Sequence, residues 1–105
     1  MSPNWSTIFG QFLKGEYIMK KIFKYKLMIT GLQTVVMPKD AEILSVQVQY
    51  NDICIWALVD PKNELIERGF NIFGTGHEIP ETVGKYIGTF QIDDGRLVFH
   101  LFEFE

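Results

Sequence analysis

The stretch EILSVQVQYNDICIWALV, from Glu42 to Val59, decides the fold. Its first half alternates: Leu44, Val46, Val48 and Tyr50 against Ser45, Gln47 and Gln49. Strict period-two alternation is the mark of a half-buried β-strand, because successive side chains point to opposite faces. Asn51-Asp52 then reads as a turn, since Asx side chains bond their own backbone there. ICIWALV follows and is apolar on both faces, as a central strand would be. The two halves therefore read as a hairpin at the centre of the core.

Working outward, the same pattern recurs on both sides. In IFKYKLMI, Phe23, Tyr25, Leu27 and Ile29 form an apolar row and Ile22, Lys24 and Lys26 the opposite one. Gly31 offers a turn, TVVM is short and β-branched, and Pro38 ends it because proline cannot donate to a ladder. DPKNE is a turn cluster. LIERGFNIFG is a further strand, with Gly69 marking a bulge or a close backbone approach. GTGHEIPETVGK is the longest loop, with room for one helical turn beginning near Pro80. YIGTFQI and RLVFHLFEF flank the hairpin turn DDG. The expected fold is all-β and mainly antiparallel, a small barrel or sandwich of six to seven strands with at most a short helical turn.

With 105 residues the chain holds one domain. Residues 1–18 read differently from the rest. Lys14-Gly15-Glu16 can be encoded as a purine-rich ribosome-binding sequence just ahead of Met19. The expectation is that 1–18 are a non-native or disordered extension and that 19–105 form the single β domain. The competing view is a packed or swapped helix, from the spacing of Trp5, Ile8, Phe9, Phe12 and Leu13.

A formal charge of −3 with no long basic run leaves no electrostatic footprint for duplex nucleic acid. No apolar run is long enough for a transmembrane helix, so no membrane partner is expected. The single cysteine, Cys54, cannot form an internal disulfide and suits a reducing cytoplasm. Its apolar neighbours make it a buried, inert thiol. Asp93-Asp94 form a turn, not a catalytic carboxylate pair. No catalytic constellation is complete, no metal site is fixed by spacing, and no cofactor is expected.

The most site-like stretch is Gly74-Thr75-Gly76-His77. Its glycines permit unusual backbone angles, its N–H groups are candidates for an anion-binding concavity, and Thr75 and His77 add donors. The plain alternative is a glycine-rich turn with His77 exposed. Arg68, Arg96, Lys85 and Lys62 are candidate phosphate contacts, each with a solvated surface charge as the plain alternative. Trp56 and Tyr86 are candidate stacking platforms, with core packing the default for Trp56. His100, between Val98 and Phe102 on one strand face, reads as a half-buried, hydrogen-bonded histidine.

AEILSVQVQ, WALVDP, FGTGH and KYIGTFQ stand in this order along the chain. Together they resemble a family of small β-domain proteins encoded by phages and prophages, over Met19 to Phe104. The resemblance implies an accessory gene of a bacterial virus. The chain is similar in size and strand content to phage proteins that inhibit host defence, including small β-rich proteins that sequester nucleotide signals. The function this implies is a non-enzymatic binding protein in the host cytoplasm. Its partner would be a small anionic nucleotide or a host protein, with a homo-oligomer as a further expectation. The alternatives are a small nucleotide- or sugar-directed enzyme using His77, and a structural or assembly module with exposed strand edges.

Overall fold

The computed structural model describes residues 19–29 and 31–104, so the expectations for 1–18 lie outside the described residues. Seven antiparallel strands fold into two sheets, with no helix among the described residues. They are β1 (Lys21–Leu27), β2 (Leu32–Pro38), β3 (Glu42–Gln49), β4 (Asp52–Val59), β5 (Leu65–Gly74), β6 (Lys85–Ile92) and β7 (Leu97–Glu103). One sheet has the order β1-β4-β3 and the other β2-β5-β7-β6. They pack as a sandwich, which realises the expected all-β class. The region after Pro80 forms a turn at Glu81–Thr82 instead of a helical turn.

The apolar strand is central, as its two apolar faces require. On β4, Ile53, Ile55, Ala57 and Val59 point into the sandwich and are buried. Phe23, Tyr25 and Leu27 of β1 pair with Ala57, Ile55 and Ile53 and pack on the same core. Burial of the Tyr25 phenol raises its pKa above the ordinary tyrosine value, because the charged form is desolvated. The facing sheet contributes Met37, Phe70, Ile72, Phe90 and Leu101. Burying each such side chain stabilises the fold by about 1.5–3 kcal/mol.

Two details differ from simple alternation. The hairpin turn is Tyr50-Asn51, with φ of 51° and 68°, between the paired residues Gln49 and Asp52. Two positive φ values in a two-residue loop match the twist of the flanking strands. Tyr50 therefore leaves the strand and stands 92% exposed. A bulge between Ile43 and Ser45 inserts Leu44, so Ile43, not Leu44, joins Val46 and Val48 against the core.

The outer face of the three-stranded sheet carries Trp56, Leu58 and Ile22, with Cys54 beneath longer side chains. Lys24 Nζ donates to Gln49 Oε1 at 2.9 Å, spanning β4 at the height of Cys54. Lys26 pairs with Asp52 at 3.2 Å. Cys54 is thus 2% exposed although it faces outward. At one side of the sandwich β3 and β6 meet. There Gly88 lies so near Val46 that a Cβ on it would stand 2.7 Å from Val46 Cγ1. Gly69 also marks a close approach: its carbonyl accepts from Phe104 N–H at 2.8 Å, and the Phe104 ring lies over it.

Candidate functional site

The candidate site lies on the outer face of the four-stranded sheet, and the connection between β5 and β6 builds it. These two strands run parallel, because each pairs antiparallel with β7 between them. The loop from Thr75 to Gly84 must therefore travel the length of β7. It leaves β5 opposite Phe99 and joins β6 opposite Glu103. Along that path it forms clefts with the β7 side chains Val98, His100 and Phe102.

The loop begins with a tight turn. His77 N–H donates to the Gly74 carbonyl at 3.0 Å, and Gly76, with φ of 87°, holds the third position. A type II turn needs positive φ there, which explains the glycine. The His77 ring folds back on Gly74, where a Cβ would stand 2.7 Å from Cε1. Gly74 N–H donates to His77 Nδ1 at 3.3 Å, and Thr75 N–H donates to the Val98 carbonyl at 3.1 Å. Of the four amides in GTGH, only Gly76 N–H lacks an acceptor among the described residues. The expected backbone anion concavity is therefore not formed. What the turn offers is a side-chain donor: with Nδ1 accepting, neutral His77 carries its proton on Nε2.

Beside this turn runs a chain of side-chain hydrogen bonds. Thr75 Oγ1 donates to the Val98 carbonyl at 3.2 Å and lies 2.8 Å from His100 Nε2. His100 Nδ1 lies 2.8 Å from Thr89 Oγ1, which lies 2.6 Å from the Tyr86 hydroxyl. One set of proton positions satisfies all four contacts. Thr75 uses its proton on Val98, so it accepts from His100 Nε2–H. The neutral ring then accepts at Nδ1 from Thr89, and Thr89 accepts from Tyr86. Both ring nitrogens of His100 are thereby engaged. Around this chain stand aromatic rings: Phe102 meets Phe73 at 5.8 Å and Tyr86 at 5.4 Å, edge to face.

Three hollows surround these groups. One of about 280 Å³ is lined by the GTGH turn, Ile79, Tyr86, His100 and Phe102. A second, about 370 Å³, shares Gly74, Thr75 and His77 with it and adds Arg96, Leu97, Val98 and Phe99. The third and largest, about 550 Å³, opens between the sheets on the far side of Tyr86.

Most of the expected site residues line these hollows, with Tyr86 shared between two. Trp56 does not join them: it sits half-buried on the outer face of the other sheet. Arg68 and Lys85 line the 550 Å³ hollow, but the planar fork of Arg68 is already taken up by a carboxylate. Its Nε and Nη2 donate to the two Glu103 carboxylate oxygens and its Nη1 to the Ala41 carbonyl. Thr89, Phe73 and Phe102 were not expected at the site, whereas Arg96, a candidate phosphate contact, lines the 370 Å³ hollow. His100 is half-buried and hydrogen-bonded as expected, and it stands at the centre of the chain. Among the described residues no three His, Cys, Asp or Glu side chains gather as metal ligands.

Residues 19–105 match the profile of a family described as a domain of unknown function, DUF7352. The chain belongs to that family. No curated protein and no solved structure matches it. The DUF7352 match runs through all seven strands, so the GTGH turn and the His100 chain both fall within it.

Proposed function

We propose that this domain is a non-enzymatic binding protein for a small anionic ligand of the nucleotide class. The observation that carries the reading is the pair of hollows meeting at Thr75 and His77. Their lining combines aromatic rings, His77 and Arg96, and includes no carboxylate. A planar base suits the Tyr86 and Phe102 side, since base–aromatic stacking tolerates any base. A phosphate suits the Arg96 side, where a planar fork of donors is available. Among the described residues the Arg96 side chain has one partner, a 4.0 Å contact to exposed Asp93, which solvent screens. Binding is favoured over catalysis because the group on the far side of the His100 ring from Thr89 is the neutral Thr75 hydroxyl, 2.8 Å from Nε2, and not a carboxylate that would stabilise an imidazolium.

The resemblance to phage and prophage proteins supports an infected bacterial cell as the setting. There, sequestering a nucleotide signal would blunt host defence. The test is to incubate the purified protein with cell-derived nucleotides, recover the bound fraction by heat denaturation, and identify it. Intact nucleotide supports sequestration, whereas altered products point to the enzyme reading. Arg96→Ala should reduce retention without lowering the thermal midpoint, because its side chain is exposed, and His77→Ala should reduce retention with a small loss of midpoint, because it also leaves the Gly74 N–H without its acceptor. Full retention by both variants would remove the GTGH turn from the site.

A further inference from the structure

The 550 Å³ hollow has a different chemistry from the two around the GTGH turn, and a different origin. β3 and β6 touch at Val46 and Gly88. Toward the start of both strands the sheets part, and each strand carries a bulge there, between Ile43 and Ser45 and between Tyr86 and Gly88. Bulges bend a strand and re-aim its side chains. The opening lies between these two bends. Its apolar wall is Ala41, Ile43, Ile66 and Ile87.

At its floor the Arg68–Glu103 pair is complete. Both carboxylate oxygens and three guanidinium nitrogens are engaged, and the side chains are 17% and 15% exposed. The pair is neutral as a unit and needs no counter-ion. Arg68 keeps a second N–H on each terminal nitrogen for another acceptor. The rim is the reverse. Asp40, Glu42 and Lys85 are exposed, and among the described residues their side chains have no hydrogen-bond or ion-pair partner. Two carboxylates against one ammonium make the rim a poor site for a phosphate. A ligand carrying one positive and one negative group answers both signs. An aliphatic side chain between them would meet the isoleucine wall.

We propose that this hollow is a second binding site, for a zwitterionic amino acid or short peptide with an aliphatic side chain. The ligand ammonium faces Asp40 and Glu42. Its carboxylate faces Lys85 and the spare N–H groups of Arg68. Volumes of this order bury small ligands in other proteins.

The experiment is a titration of the ¹⁵N-labelled full chain, followed by amide shifts, with three probes. These are L-leucine, L-leucyl-L-leucine, and the same dipeptide with an acetylated amine and an amidated carboxyl. The expected result is saturable shifts at Ile43, Ile66, Arg68 and Ile87 with a free-ended probe, and binding about tenfold or more weaker for the blocked dipeptide. Leucine binding as tightly as the dipeptide assigns the site to free amino acids, and binding of the dipeptide alone assigns it to peptides. Glu42→Gln and Lys85→Gln, both at exposed positions, should weaken binding with the thermal midpoint unchanged. Equal binding of the blocked and free dipeptides would overturn the proposal. So would the absence of saturable shifts, or shifts confined to Thr75, His77 and His100.

Discussion

Gly88→Ala tests how closely the two sheets are fitted. The added methyl would stand 2.7 Å from Val46 Cγ1, whereas two carbons settle at about 3.5–4.0 Å. One of them must therefore move by roughly 1 Å. Val46 is 6% exposed and packed in the core, and a β-branched side chain has little rotamer freedom to yield. Overpacking of this kind costs about 1–3 kcal/mol. Replacing glycine lowers the entropy of the unfolded chain and offsets about 0.4–1 kcal/mol. The net loss is about 1–2 kcal/mol, read as a fall of roughly 5–15 °C in thermal midpoint for a domain of this size. Val46→Ala alone should cost about 2–3 kcal/mol, from two lost methylene equivalents and the void they leave. In the double variant the new methyl enters that void. The combined loss should then be smaller than the sum of the single losses by about 1–3 kcal/mol, measured by urea and thermal denaturation. An undiminished midpoint in Gly88→Ala, or additivity within about 0.5 kcal/mol, would refute the contact.

Two further outcomes follow from side-chain placement. Trp56→Ala should cost only about 1–2 kcal/mol in denaturant unfolding, because the ring is half-buried on an outer face, whereas a fully enclosed tryptophan costs about 3–5 kcal/mol. Tyr25 has a raised pKa in the fold, so above the ordinary tyrosine pKa the unfolded chain loses its proton first. Stability should therefore fall as pH rises through about 10 and beyond. Tyr25→Phe should flatten that part of the curve, and an unchanged slope would show that Tyr25 does not contribute.

The hairpin from Glu42 to Val59 could be read because its hydrophobic period is unbroken through most of its length. Ile53 to Val59 are apolar on both faces, and such a segment has few places other than a central strand. Sequence period failed where a bulge changed the face. Leu44 and Ile43 exchange places because one inserted residue re-phases everything before it. The same effect hid the site. Simple alternation puts Tyr86 and Thr89 on opposite faces, yet the bulge before Gly88 brings their hydroxyls to 2.6 Å. His100 was legible as a satisfied histidine, but its partners Thr75 and Thr89 lie on other segments, and nothing local announces them. Arg68 was legible as a charge. Its capture by Glu103 depends on the pairing of β5 with β7, which a single sequence does not display.

The order of the four-stranded sheet has a consequence for biosynthesis. β7 is the last of the seven strands to leave the ribosome, yet it lies in the interior of its sheet, between β5 and β6. Until it emerges, those two strands present facing, unpaired edges separated by a gap one strand wide, roughly 10 Å across. Phe70, Ile72 and Phe90 border that gap without Leu101 to cover them. The four-stranded sheet therefore stays incomplete until its last strand arrives, and an extended segment of a second chain is the competitor for the same slot.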